Sequence, residues 1–531
     1  MRDLVAGALV GLLCSVPVIA VQGMHFGWYS LYALVAGVVV GLASGHRRLS
    51  AAVVASGGVL IGVLGWLLVP LTVEPLLRGQ VPAWSATAIL QSYPYLVADV
   101  LHGGLTGLLL AFVPSVRRGR SAPGLTRIVI VGGGFAGVSA AKRFEQLAVR
   151  GAPVDVTLIS DSNFLLFTPM LAEAASGAIE PTHISTPVRS TVSHTRFRNG
   201  RVRKLDIPNH TVHLGDEMIG YDHLVLAVGS VPHSFDLPGV SEHAWTLKNL
   251  SDATRLRNHV IKQLELADNE PDPEHRRRLL RFMVAGAGFA GTEMVAELFD
   301  LVYRVVHYFP GISPHEPSFV LVHSGDRILP EMSPGLAAYA LERLRARGID
   351  CRLGVRVTEA TADAVRLDNG DWIATRTLVW TAGNRPGPLV DGKAVETDTK
   401  LRAAGMENVW AVGDCARIPD PAGGYYPPTA QHALRQGKVV AENITAVISG
   451  RETGEFRFRA LGQLVALGHR TAAADIRGRQ FSGLAAWLLW RGIYLAKLPG
   501  LEKRIRVLFD WTLDLMFPRD IVVTSQDEVP R

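Results

Sequence analysis

The hydrophobic and polar positions divide the chain into two parts of different texture. Residues 4–22, 28–45, 51–73 and 95–113 are almost unbroken apolar runs, each about long enough as a helix to cross a hydrocarbon core of ~30 Å. Beyond residue 120 the apolar runs shorten to strand length and end in glycines. Runs at 128–131, 154–159, 221–229, 282–285, 319–322, 378–383 and 408–414 read as buried strands of parallel sheets. Helical periodicity marks 138–146, 251–265 and 293–301. At 427–437 a proline and a threonine stand where a helix starts. Residues 269–278 are polar and basic and predict a surface connection. Near the end, 484–490 is apolar and aromatic but too short to span. The stretch 501–517 mixes Leu501, Ile505, Leu508, Phe509, Trp511 and Leu515 with Lys503, Arg504 and Arg506. That mixture predicts a helix lying in a membrane interface. Trp487, Trp490 and Trp511 favour this over an ordinary helix docked on the body.

At 531 residues the chain is too long for one core, and several domains are expected. Arg47 and Arg48 follow the second apolar run, and Arg117, Arg118 and Arg120 follow the fourth. With four spans both clusters fall on one side, which the positive-inside tendency makes the cytoplasm. The expectation is a multi-pass protein of the cell membrane with its remaining body cytoplasmic. A cleavable signal is disfavoured, because the first run has no basic leader and three more runs follow it. Asp99 and His102 sit about one turn apart within the fourth run. They are expected near a helix end, reaching headgroups or pairing with each other. The net charge of +6 comes without a basic run interleaved with aromatics, which argues against nucleic acid. Cys14, Cys351 and Cys415 are far apart and form no C-x-x-C, so neither a metal site nor a redox dithiol is supported.

The chemistry begins where the texture changes. Gly132, Gly134 and Gly137 give G-x-G-x-x-G between a strand and a helix, which aims unpaired N–H groups and the positive helix end at an anion such as a pyrophosphate. One such turn is a weak signal. Here it recurs about 150 residues later as Gly286, Gly288 and Gly291, which implies two separate dinucleotide sites. In such units the second strand ends in an acid for the ribose hydroxyls. The first unit has Ser160, with Asp161 as a substitute only if the strand has already ended. The second unit has His323.

These motifs, followed by Gly413 and Asp414, resemble the two-dinucleotide-binding flavoproteins and, within them, the type II NADH dehydrogenases, which are single-subunit NADH:quinone oxidoreductases. The resemblance covers roughly 126–520. It rests on GGGFAG at 132–137, SNFLLFTPML at 162–171, YDHLVLAVGS at 221–230, GAGFAGTEMVAEL at 286–298, GDRILP at 325–330, VWTAG at 379–383, VWAVGD at 409–414 and PPTAQHALRQG at 427–437. The fold it implies is α/β, with two Rossmann-like domains and a discontinuous FAD domain, preceded by an all-α four-helix transmembrane domain that lies outside the resemblance. The corresponding divisions are 1–120, 121–250 and 396–450 for FAD, 251–395 for NAD(P)H, and a membrane-docking segment at 451–531.

The resemblance implies hydride transfer from NADH to FAD and electron transfer to a membrane quinone, menaquinone or ubiquinone, without proton pumping. Gly132, Gly134 and Gly137 would cradle the FAD pyrophosphate, with Asp161, Gly383, Gly413, Asp414 and Ala430 also at cofactors. Gly286, Gly288 and Gly291 would hold the NADH phosphates, and Glu293 would stand near the nicotinamide. Gln431 matches the first glutamine of the family's quinone-site helix, A-Q-x-x-x-Q. The second position, one turn later on the same face, is Arg435, which offers only donors and a fixed charge. His323 would not repel a 2′-phosphate, so NADPH is admitted beside NADH. Two other readings stay open: a membrane-tethered redox sensor or assembly module, and an NAD(P)H flavin oxidoreductase with a non-quinone acceptor. A homodimer is compatible with the sequence.

Overall fold

The computed structural model describes residues 51–111 and 124–523, together with Val10 and Cys14. The chain divides into two compact units, Met1–Arg120 with Arg189–His194, and Ser121–Val188 with Thr195–Arg531.

In the first unit the predicted runs 4–22 and 28–45 lie outside the described residues apart from Val10 and Cys14. The third run forms helix Ala51–Leu68, which continues through Val69–Val73 and Glu74–Leu77. Among the described residues Ala55–Leu76 is the one helix long and apolar enough to cross a membrane. The fourth run forms helix Tyr93–Ala111. Four spans are therefore not supported by the described residues. Asp99 and His102 are also not where the sequence places them. They sit mid-helix and are buried, at 5% and 1% exposure, so neither reaches for headgroups. The two long helices cross on glycine. A Cβ on Gly58 would lie 1.9 Å from Gly103 O, and one on Gly62 would lie 2.1 Å from Asp99 O. Small residues allow this approach of two backbones.

The second unit holds two parallel five-stranded sheets. The first has the order Val409–Ala411, His223–Leu226, Thr126–Val131, Val154–Ser160, Arg196–Asn199. The second runs Ala244–Thr246, Thr377–Trp380, Arg281–Ala285, Ser318–His323, Asp350–Leu353. In both, the strand preceding the glycine turn is central. Residues such as Ile128, Ile130, Phe282 and Val284 have no exposed surface, as expected of strands covered on both faces. The chain returns to the first sheet at Val409–Ala411 after completing the second. The first sheet is thus built from two separate stretches of the chain. Ala244–Thr246 already belongs to the second sheet.

Helix Phe135–Val149 follows the first glycine turn and packs on helix Ala430–Ile448. Ser139 Oγ donates to Leu434 O at 2.5 Å, and a Cβ on Gly437 would lie 2.2 Å from Ala136 O. The predicted surface connection at 269–278 contains a short helix, Pro273–Leu279, capped by Asp272. Its proline supplies a favoured first helical position, so the polar stretch folds.

The C-terminal part is an antiparallel sheet, Gly462–Ala466, Ala472–Ile476 and Arg479–Ser482, then helices Gly483–Lys497 and Leu501–Met516. Here one expectation is corrected. Trp487, Trp490 and Trp511 are buried in the main core and do not face a membrane. Trp511 Nε1 donates to Glu173 at 3.3 Å, and Asp510 meets His183 Nδ1 at 2.6 Å. The last helix therefore docks on the body through one face. Its other face leaves Leu508, Phe509, Leu513 and Met516 exposed.

Candidate functional site

One cleft of about 1350 Å³ receives both glycine turns, the Gly413–Asp414 turn and the start of helix Ala430–Ile448. Pockets for drug-sized ligands reach about 1000 Å³, so this cleft is sized for more than one small molecule. Of the residues singled out in the sequence, Gly132, Gly134, Asp161, Gly288, Gly291, Glu293, Gly383, Gly413, Asp414, Ala430, Gln431 and Arg435 line it. Gly137, Gly286 and His323 stand behind its wall.

The first turn is a cradle that side chains would fill. Gly132 has φ +115°, and a Cβ there would lie 2.1 Å from Ala227 O; one on Gly137 would lie 1.9 Å from Gly132 O. Gly134 opens helix Phe135–Val149 with no side-chain cap, and nothing stands within 4 Å of the place its Cβ would take. The first N–H groups of the helix are thus left for a ligand anion. These residues fit the pyrophosphate of FAD. The strand before Asp161 does end, at Ser160. Asp161 is exposed and pairs with Arg201 at 3.6 Å, while Ser160 Oγ lies where a Cβ on Gly133 would come within 2.6 Å.

Asp414 is held by two residues that the sequence does not flag. Ser230 Oγ donates to Asp414 Oδ2 at 3.0 Å, and Lys248 Nζ donates to Ser230 Oγ at 2.9 Å. Lys248 also stands 3.9 Å from Asp414, and burial lowers its pKa. Ser230 follows the glycine that closes a strand, a position that could have been read as a site. Lys248 follows a strand of three residues and carries no such signal. Gln436, on a different face from Gln431, accepts from Gly413 N at 2.8 Å and fixes the turn to the helix.

At the second turn a Cβ on Gly291 would lie 1.8 Å from Gly286 O. Gly288 is open and begins helix Phe289–Val305. Glu293, in the first turns of that helix, is partly open to the cleft yet deep enough that burial pushes its carboxyl up to about 8. Its Oε1 accepts from Ala466 N at 3.0 Å. Farther along, Glu297 is buried against Arg519 at 3.1 Å. His323 ends its strand with Nδ1 accepting from Ala287 N at 3.3 Å. The ring is therefore bonded to the glycine turn itself, and burial lowers its pKa.

Helix Ala430–Ile448 enters the cleft with Thr429 as its cap. Gln431 Nε2 donates to Gly462 O at 2.9 Å, and its Oε1 is buried without a partner. Arg435 Nη1 donates to Gln431 O at 2.9 Å, and the guanidinium lies 3.9 Å over the Phe458 ring. Lys497 and Tyr494, on helix Gly483–Lys497, line the same space. Tyr494 meets Phe167 edge to face at 6.0 Å, and Phe167 meets Phe135 likewise. An aromatic row thus runs from the first glycine turn to the C-terminal helices.

Among the described residues no group of acids, histidines and cysteines could hold a metal. The three cysteines are free and buried, with burial pushing Cys351 and Cys415 up to about 11.

Residues 126–437 match the pyridine nucleotide-disulphide oxidoreductase model, and 461–520 match the NDH2 C-terminal domain. A probable NADH dehydrogenase of Dictyostelium discoideum is 32% identical over 417 residues, covering 74% of this chain and 90% of its own. The chain belongs to the type II NADH dehydrogenase family. A type II NADH:quinone oxidoreductase of Mycobacterium tuberculosis is 30% identical, covering 76% of this chain and 92% of its own. The solved structure of NDH2 from Plasmodium falciparum with NADH shares the fold at TM-score 0.69 and 18% identity, over 75% of this chain and 99% of that one. The family name mentions a disulphide, but the buried, separated thiols of this type II NADH dehydrogenase form none.

Proposed function

We propose that this chain is a membrane-bound NADH:quinone oxidoreductase that passes a hydride from NADH to FAD and electrons on to a membrane quinone, without pumping protons. The observation that carries this is the shared cleft, in which the second glycine turn with Glu293 opens into the same space as Gln431 and the aromatic row. FAD, when bound, accepts the hydride and releases its electrons to the acceptor.

The protein's own residues bind and orient. The first glycine turn holds the FAD pyrophosphate through helix N–H groups, and Asp414, aligned by Ser230 and Lys248, accepts from ribityl hydroxyls. The second turn does the same for the NADH phosphates. Glu293 keeps a proton at neutral pH, because burial penalises its charged form. It thus meets the nicotinamide as a neutral donor. Gln431 Oε1, without a partner in the wall, accepts from a reduced quinone hydroxyl.

Anchoring in the bilayer has two supports. Ala55–Leu76 is apolar and long enough to cross, and helix Leu501–Met516 presents an exposed apolar face that suits the interface. A cytoplasmic catalytic body agrees with Arg117, Arg118 and Arg120 standing between the apolar N-terminal part and the body. The test is NADH oxidation by purified full-length protein with menaquinone and ubiquinone analogues. Reduction lost in Gln431→Ala supports the acceptor site; activity untouched by that substitution removes it.

A further inference from the structure

Arg435 and Lys497 both line the cleft at its acceptor end, and Lys497 lies close enough to feel the arginine's charge. Neither has an ion-pair partner among the described residues, whereas several other arginines of the second unit do. Arg519, for example, reaches Glu297 and Asp514, each at 3.1 Å. Arg435 is also held in place. Its guanidinium is pinned by the Nη1 bond to Gln431 O and by the Phe458 ring beneath it, and its other N–H groups face the cleft it lines. Glu293, which lines the same cleft beside Tyr494, is pushed up to about 8 by burial and supplies little counter-charge at neutral pH. Arg435, half-buried in this wall without an ion-pair partner among the described residues, is costly to leave so, and an anion entering beside it, with the more exposed Lys497 in the same wall, recovers charge-assisted hydrogen bonds. Leu434, Leu464 and Tyr494 line the cleft with them, beside the polar Lys438 and Gln463, and this apolar and aromatic surface suits a flat ring better than a free inorganic ion.

We propose that the acceptor end of this cleft is built for a quinone ring bearing a negatively charged oxygen, with Arg435 as the residue that selects the anion and Lys497 as its support. This rests on the quinone-reductase reading and narrows its substrate class to ring-hydroxylated, acidic quinones. Arg435, with Lys497 in the same wall, meets the charge, while Gln431 addresses a neutral oxygen.

The test uses full-length, FAD-loaded protein without NADH and two ligands of nearly equal shape. One is 2-hydroxy-1,4-naphthoquinone, which is ionised at neutral pH because its conjugate base spreads charge over two oxygens. The other is its neutral methyl ether. Binding is read by titration calorimetry. The anion is expected to bind about tenfold more tightly or better, the scale of one charge-assisted bond in a desolvated site. Arg435→Gln removes most of that ratio and leaves the ether's Kd within about twofold; Lys497→Met removes less. Equal affinities in the unsubstituted protein, or a ratio unchanged by Arg435→Gln, overturn the proposal. Neither ligand binding, while NADH still reduces the flavin, removes the quinone reading and this inference with it.

Discussion

The backbone N–H of Ala466 donates to Glu293 Oε1 at 3.0 Å, so the C-terminal sheet holds a carboxyl that follows the second glycine turn on its helix. This bond favours the ionised carboxylate, but burial acts more strongly in the other direction and leaves the group near 8. Catalysis that needs the protonated form is therefore lost as pH rises through about 8. A descending limb in kcat/KM for NADH near that pH is expected, and Glu293→Gln flattens it. The stability consequence has the same sign. The folded pKa lies above the unfolded value, so the folded state binds more protons and its stability falls with pH between the two. The Tm of Glu293→Gln relative to the native protein should rise from pH 6 to pH 9, by about 2 °C or more. A gap constant with pH would show that Glu293 is an ordinary surface acid.

The two glycine turns are predicted to fail separately. A Cβ at Gly137 collides with Gly132 O, and one at Gly291 with Gly286 O, each displacing the helix that its own dinucleotide needs. Gly137→Ala should purify with little FAD. Gly291→Ala should retain FAD, seen by its absorbance, yet require about tenfold more NADH or higher to reduce it. Both variants losing flavin alike would contradict two independent sites.

The hold on Asp414 gives a third prediction. Lys248 reaches Asp414 directly at 3.9 Å and through Ser230. Lys248→Met and Ser230→Ala should each weaken FAD retention about tenfold. Because they act on one carboxylate, the double variant should lose less than the product of the two effects. FAD release on dilution measures this, and fully multiplicative losses would mean that the residues do not share Asp414.

How much of this was legible depended on whether the signal was local. Both glycine turns could be read because strand, glycine and helix follow one another directly, and in the structure both open into one cleft. The end of the second strand at Ser160 was legible as a condition on Asp161, and the structure meets it. Lys248 was not, since its meaning arises only when Ser230 and Asp414 arrive from elsewhere in the chain. Asp99 and His102 misled for a related reason. Composition shows that a polar residue lies in an apolar run, but whether it is buried is decided by helix crossings such as Gly58 on Gly103. The tryptophans misled because an aromatic rich in apolar surface suits a core as well as a bilayer interface.

That last ambiguity gives the final prediction. On helix Leu501–Met516 the side facing the body carries Trp511, 3% exposed, while Phe509 is 64% exposed two residues away. If the exposed face is the one that meets lipid, Phe509→Asp together with Leu508→Asp should reduce sedimentation with anionic vesicles several-fold and leave the Tm nearly unchanged, since those side chains bury little on folding. Trp490→Ala should do the reverse. Trp490 is 1% exposed and packs against Tyr494 and Trp511, so truncation leaves a cavity and costs about 3–5 kcal/mol. Its residual folded fraction should still bind vesicles. To keep the first unit from masking the effect, vesicle binding is compared between variants in the full-length protein at low detergent. If Phe509→Asp destabilised the fold while leaving membrane association intact, the last helix would be a docked element of the body, and the anchor would lie wholly in the N-terminal unit.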